Sequence, residues 1–204
     1  MIYYGARASR YYLHQLEHCR RSSTAHETVS VVGGMAFLHA VGPLTKALYL
    51  VDTDPDTIAF SNDILRLIKE CVTLNDFVKH LQVMLPKDKV IYGEHGLETG
   101  KFYWHVGRYN FASEEQYTRL RKTLDTIPVN VLCSNLAEFD YHQLQYPSNV
   151  LVSNAEGPLG VDGDRILPQI LKTASVPVTY VSWIHTICIE PNPYKHSYDV
   201  NCDL

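Results

Sequence analysis

HETVSVVGGMAFLHAVGPLTKALYLVDTD, residues 26–54, reads as a strand, a tight turn, a short helix and a second strand closed by an acid. The β-branched run TVSVV at 28–32 suits a strand buried on both faces. Gly33 and Gly34 break it, and residues 35–41 allow one or two helical turns before Gly42-Pro43 stops them. Residues 47–51 form the next strand, and Asp52 ends it. Glycines let the backbone approach a ligand closely, and an acid at the tip of the following strand can accept hydrogen bonds from sugar hydroxyls.

Upstream, residues 7–21 read as a helix, with Leu13, Leu16 and Cys19 at helical spacing and Arg20 and Arg21 in its last turn. Downstream, Asp54-Pro55 signals a helix start, the acid as cap and the proline just inside. Phe60, Ile64, Leu67, Ile68 and Cys71 continue it on one face. Thr73 and Asp76 make a variant capping box for a further helix carrying Phe77, Val78 and Leu81. Residues 86–112, polar, aromatic and glycine-rich, read as an insertion or lid over the core. Ser113 with Gln116 caps another helix, SEEQYTRLRKTL. Strands are expected at 129–133, 149–152 and 177–184, a helix at 165–172, and an irregular or edge-like tail after 190. Strands alternating with helices imply an α/β fold: a compact, doubly wound, mostly parallel sheet covered on both faces. Right-handed crossovers then bring the loops after the strands to one edge.

The chain has 204 residues, a length that fits one domain (1–204) with its own core. It is 46% hydrophobic and 20% charged, with a net charge of −4. That balance argues against broad electrostatic binding to nucleic acid. No apolar run reaches the roughly 18 residues of a membrane span, and the first residues lack the apolar core of a secretion signal. The five cysteines (Cys19, Cys71, Cys133, Cys188, Cys202) show no CxxC spacing and read as reduced thiols of a cytoplasmic protein. Composition alone does not account for 14 tyrosines.

Gly33-Gly34 and Asp52 form the leading constellation, separated by one crossover and so brought to the same sheet edge. Neither GxGxxG nor GxxxxGK[ST] is present, so a nucleoside without a phosphate cradle fits better than a dinucleotide or ATP.

The order VSVVGG, LYLVDTDP, VNVLCSNLAEF, NVLVSNAEG resembles the class I S-adenosylmethionine-dependent methyltransferase fold over residues 28–184. The resemblance implies that Gly33, Gly34 and Met35 belong to the glycine-rich first motif. It makes Asp52, with Thr53, the ribose-binding acid, and puts Ser134, Asn135 and Leu136 beside the adenine. Ser153 would lie at the fourth motif, with Asn154 and Glu156 at the reacting end. A looser similarity links the segment from SEEQYTRLRKTL onward to the branch that transfers the 3-amino-3-carboxypropyl group, as in betaine-lipid synthesis. The chain departs from the family in having two glycines and Ser30 where the first motif is richer, in lacking an NPPY-type fourth motif, and in a shortened C-terminal part.

The implied activity is a Rossmann-like transferase using S-adenosyl-L-methionine, moving a methyl or aminocarboxypropyl group to a small-molecule acceptor, or cleaving or cyclising the cofactor. Such chemistry needs little acid–base machinery, because the leaving thioether is neutral and positioning supplies most of the rate. No metal is expected at the site, and the oligomeric state is left open. Two rivals stand beside this reading. One is a non-catalytic nucleoside-binding module. The other is a zinc hydrolase built on His14-Gln-Leu-Glu17-His18, an HxxEH pattern with both histidines on one helix face. Trp104, His105, Arg108 and Tyr109 in the insertion, Tyr3, Tyr4, Tyr11 and Tyr12 at the start, and His185 are further candidates for the pocket rim.

Overall fold

The computed structural model describes residues 10–32, 37–84, 113–152, 163–182 and 186–191. Its strands are β1 (His26–Val31), β2 (Thr45–Asp52), β3 (Val129–Cys133), β4 (Ser148–Leu151), β5 (Val178–Val181) and β6 (Thr186–Ile189). They form one sheet in the order β3-β2-β1-β4-β5-β6. The first five are parallel, and β6 runs antiparallel to β5, from Val178 opposite Ile189 to Val181 opposite Thr186. The expected strand at 177–184 is therefore a shorter β5, followed by a sixth strand that the sequence reading did not separate from the tail.

The helices are α1 (Arg10–Arg20), α2 (Phe37–Ala40), α3 (Pro55–Glu70), α4 (Leu74–Met84), α5 (Glu114–Thr126) and α6 (Gly163–Thr173). Local chemistry starts three of them. The Asp54 carboxylate accepts from the Asp56 amide at 3.0 Å, with Pro55 in the first turn of α3. The Thr73 hydroxyl accepts from the Asp76 amide (3.1 Å) and donates to the Asp76 carboxylate (2.8 Å). Ser113 accepts from the Gln116 amide at 3.2 Å. Tertiary contacts then tie these helices together. Tyr117 donates its hydroxyl proton to the Cys71 carbonyl (2.8 Å), and the Glu114 carboxylate accepts from the Leu74 amide.

Side-chain alternation sorts the sheet into two apolar faces. On one, Val32, Leu48 and Leu50 pack against Phe37, Ile64, Ile68, Phe77 and Leu120 from α2 to α5. Beside them, Leu16 and Cys19 of α1 meet Leu151 and Val181. On the other, Val29, Val51, Val150 and Tyr180 pack against Ile166 and Ile170 of α6. Each fully buried Leu, Ile or Val contributes about 1.5–3 kcal/mol. The passage from β3 to β4 uses two 3-10 turns, Leu136–Glu138 and Tyr141–Gln143, rather than an α-helix. Phe139 stacks edge-on against Tyr49 and Tyr141, and Tyr141 donates to the Leu136 carbonyl at 3.1 Å.

The polar start of β1 is buried and satisfied. Glu27 accepts through Oε2 from the amides of Gln145 (2.8 Å) and Tyr146 (3.2 Å), which fastens the loop leading into β4. A carbonyl only accepts, so His26 Nδ1–H donates to the Thr24 carbonyl (3.1 Å) and Nε2 accepts from the Thr45 hydroxyl (3.2 Å). That hydroxyl in turn accepts from the Gly42 amide at 2.9 Å. Gly42 is required here: a Cβ on it would lie 2.1 Å from the Arg20 carbonyl oxygen.

Cys19, Cys71 and Cys133 are free thiols. Cys188 is disulfide-bonded to a partner outside the described residues. This corrects the expectation of five reduced cysteines, which rested on the absence of a CxxC spacing. Burial pushes the Cys19 thiol up to about 12, which makes it a packing residue. Among the described residues no helix is long and apolar enough to cross a membrane. The expected insertion at 86–112 lies outside the described residues.

Burial lowers the pKa of His26 below its ordinary 6.5, against the opposing pull of the Thr24 carbonyl. The unfolded chain therefore takes up this proton at a higher pH than the folded chain does. Stability should fall as pH drops below about 6.5, until the folded histidine itself protonates. Thermal unfolding at about pH 7.5 and about pH 5.5 tests this. A His26→Gln variant, whose amide can make both bonds, should lose less stability over that interval than the parent. An equal loss would assign the pH dependence to other groups.

Candidate functional site

Because β1 to β5 are parallel, their carboxyl ends fall along one edge of the sheet. β1 and β4 are neighbours at its centre. The chain leaves β1 toward β2 on one side and leaves β4 toward β5 on the other. That reversal is a topological switch point, the place where open α/β sheets hold ligands.

Asp52 ends β2 at this edge, opposite Cys133 of β3 and beside the end of β1. By alternation with Leu48 and Leu50, its side chain is on the face covered by α3. It is half-buried. Its Oδ1 accepts from the Asp54 amide at 3.0 Å, a local turn that fixes the carboxylate. A carboxylate offers about four acceptor positions, so this bond leaves capacity for a vicinal diol. Burial raises the Asp52 pKa above its ordinary 3.8. The Asp54 charge adds to the rise, and the backbone amides of Asp54, Thr53 and Val32 oppose it.

The expected neighbours assemble unevenly. Thr53 is exposed, and its carbonyl receives the Cys133 thiol at 3.9 Å. The Ser134 amide donates to the Asp52 carbonyl at 2.9 Å, which ties the loop after β3 to the end of β2. Asn135 spends one acceptor position on its own turn, since its Oδ1 caps the first 3-10 turn through the Ala137 amide at 2.7 Å. The Leu136 side chain is buried in the core, and its carbonyl accepts from Tyr141. Gly33, Gly34 and Met35, which follow Val32, lie outside the described residues, as do Ser153, Asn154 and Glu156, which follow Val152. Tyr3, Tyr4, Trp104, His105, Arg108, Tyr109, His185 and the side chains of Tyr11 and Tyr12 lie outside them too.

Cys133 was missed as a member of this edge. It is an exposed thiol paired across the ladder with Asp52. Its place directly before Ser134 in a predicted strand was the available signal.

The HxxEH pattern sits elsewhere, on α1. His14 and His18 are exposed. The Glu17 carboxylate lies 3.5 Å from the Arg20 guanidinium and 3.9 Å from that of Arg21. Among the described residues no three His, Cys, Asp or Glu side chains are grouped to hold a metal.

No protein-family model matches the chain, and no curated protein matches it.

The raised pKa of Asp52 means that the folded state holds its proton more tightly than the unfolded state does. The resulting stability is complete below the unfolded pKa and is lost as pH rises through the folded one. At neutral pH the ionised carboxylate therefore costs stability. An Asp52→Asn variant, which keeps the acceptor for the Asp54 amide, should melt higher than the parent at pH 7. The difference should shrink as pH falls toward 3.8. A variant that melts lower at neutral pH would show that the charge is stabilising.

Proposed function

We propose that the chain binds S-adenosylmethionine along the carboxyl edge of β1, β2 and β3. It moves the cofactor's methyl or 3-amino-3-carboxypropyl group to a small acceptor, with cleavage or cyclisation of the cofactor as the close variant. The observation that carries this reading is Asp52: a half-buried carboxylate at the tip of β2, its pKa raised by burial, beside the point where the strand order reverses. A group kept there at a cost in stability is better suited to a ligand than to the fold. Strand order supports the class I resemblance through β5, and among the described residues one antiparallel strand, β6, stands where that family carries a strand pair.

When bound, the sulfonium supplies an electrophilic carbon and a neutral leaving group. The chain's own work is to hold and orient. Asp52 accepts from the ribose hydroxyls, and the Ser134–Asn135 loop flanks the base. In the same proposal Gly33, Gly34 and Met35 pass beneath the ligand, while Ser153, Asn154 and Glu156 face the reacting end. A cytoplasmic setting belongs to the proposal as well. The free thiols Cys19, Cys71 and Cys133 support it, and the disulfide at Cys188 weighs the other way.

Incubation with S-adenosylmethionine and mass spectrometry of the products tests the reaction. Methylthioadenosine would mark aminocarboxypropyl transfer or loss, and S-adenosylhomocysteine would mark methyl transfer. Tight binding with the cofactor unchanged over hours would replace the enzyme with a nucleoside-binding module. By calorimetry, Asp52→Ala should weaken S-adenosylhomocysteine binding by about 1.5–3 kcal/mol, the range for hydrogen bonds to a charged group. A folded variant with an unchanged dissociation constant would remove Asp52 from the site.

A further inference from the structure

A concavity lies at the end of the sheet away from Asp52. It is a cavity of about 500 Å³, bounded by the end of α1, the loop from Val41 to Leu44 that enters β2, and one face of α5. This is the size of a small-molecule site. Its described lining holds three arginines, Arg20, Arg21 and Arg119, and no acidic side chain. The chain as a whole carries 22 acids against 18 lysines and arginines, so the concentration of positive charge runs against composition.

The arginines are only partly neutralised. Arg20 and Arg21 share one carboxylate, Glu17, at 3.5 and 3.9 Å, and Glu17 is not among the described lining. Arg119 pairs with Glu115, which is also outside that lining. The Arg20 side chain is only 17% exposed, so its guanidinium is held in place rather than waving in solvent. The wall itself is built by close contact. Gly42 admits the Arg20 carbonyl where any side chain would collide, and the Gly42 amide is anchored through Thr45 to His26. The end of α1 presents little bare negative charge: the Arg21 amide donates to the carbonyls of Glu17 and His18, and the Ser22 amide donates to that of Cys19. Ser22, Gln116 and Thr123 add polar groups to the wall, and Val41, Pro43, Leu44 and Leu120 make its apolar part, with Leu44 exposed.

We infer that this cavity binds an organic phosphate, its oxyanion held by Arg20, Arg21 and Arg119 and its apolar body resting on Leu44 and Leu120. Guanidinium groups present a planar fork that matches phosphate oxygens, and a site that recognised the phosphate alone would have no use for the apolar wall. This inference is independent of the nucleoside reading, since it uses other residues at the opposite end of the strands.

Calorimetric titration of the full chain with phenyl phosphate and, separately, with inorganic phosphate tests it at constant ionic strength. Phenyl phosphate should bind saturably and several-fold more tightly than inorganic phosphate. The double variant Arg21→Gln/Arg119→Gln, checked for folding by circular dichroism, should weaken phenyl phosphate binding by about tenfold or more. Arg66→Gln, which removes an exposed arginine paired with Asp63 on α3, should leave it unchanged. Absence of saturable binding overturns the proposal. So does full retention of affinity in the folded double variant, or an equal loss in Arg66→Gln, which would mean non-specific charge. Equal affinities for the two probes would overturn the role of the apolar wall.

Discussion

β1 is hydrogen-bonded in parallel on both sides, to β2 and to β4. Parallel neighbours cannot be joined by a tight turn, so every connection must travel the length of the sheet and cover a face. Both faces are consequently packed, and the polar residues of β1 have no solvent to turn to. His26 is bonded through Thr45, Glu27 through two loop amides, and Ser30 through the Val31 carbonyl at 2.7 Å. Thr28 Oγ1 is buried with no partner among the described residues. The same arrangement makes the chains departing β1 and β4 run to opposite sides of the sheet.

The two edges of the sheet are built to different ends. At the amino edge, buried polar groups close on one another: His26 with Thr45 and Gly42, and Glu27 with the loop before β4. These bonds hold register and keep the helix end of α1 against the entry to β2. At the carboxyl edge the bonds fix the backbone, from Ser134 to Asp52 and from Asp54 to Asp52, while burial raises the Asp52 pKa. A half-buried carboxylate with a raised pKa at one edge and hydrogen-bonded polar groups at the other are the contrast expected between a ligand site and a scaffold.

Several local features were legible because they depend on a few neighbouring residues. The caps at Asp54, Thr73 and Ser113 all form as their spacing predicts, and strands β1 to β4 lie within about two residues of the expected positions. β1 begins two residues early, at His26, since its buried polar pair finds partners on segments distant in sequence. β6 was lost because Thr186–Ile189 becomes a strand only by pairing with β5. The tyrosine excess also gains a reason. Tyr117, Tyr141 and Tyr180 are fully buried, and the first two satisfy carbonyls at helix and turn ends.

Periodicity and capping thus determined, from the sequence alone, the helices α3 to α5, the strands β1 to β4 and a mainly parallel sheet. Asp52 could be marked at a strand tip for the same reason: strand, turn and acid are adjacent in the chain. Tertiary structure alone decided the rest. It set the strand order, the short 3-10 passage between β3 and β4, the committed carbonyl of Asn135, the bonded Cys188 and the arginine-lined cavity. The strand order and the arginine-lined cavity join residues far apart in sequence, and no local propensity records which distant groups a packed chain brings into contact.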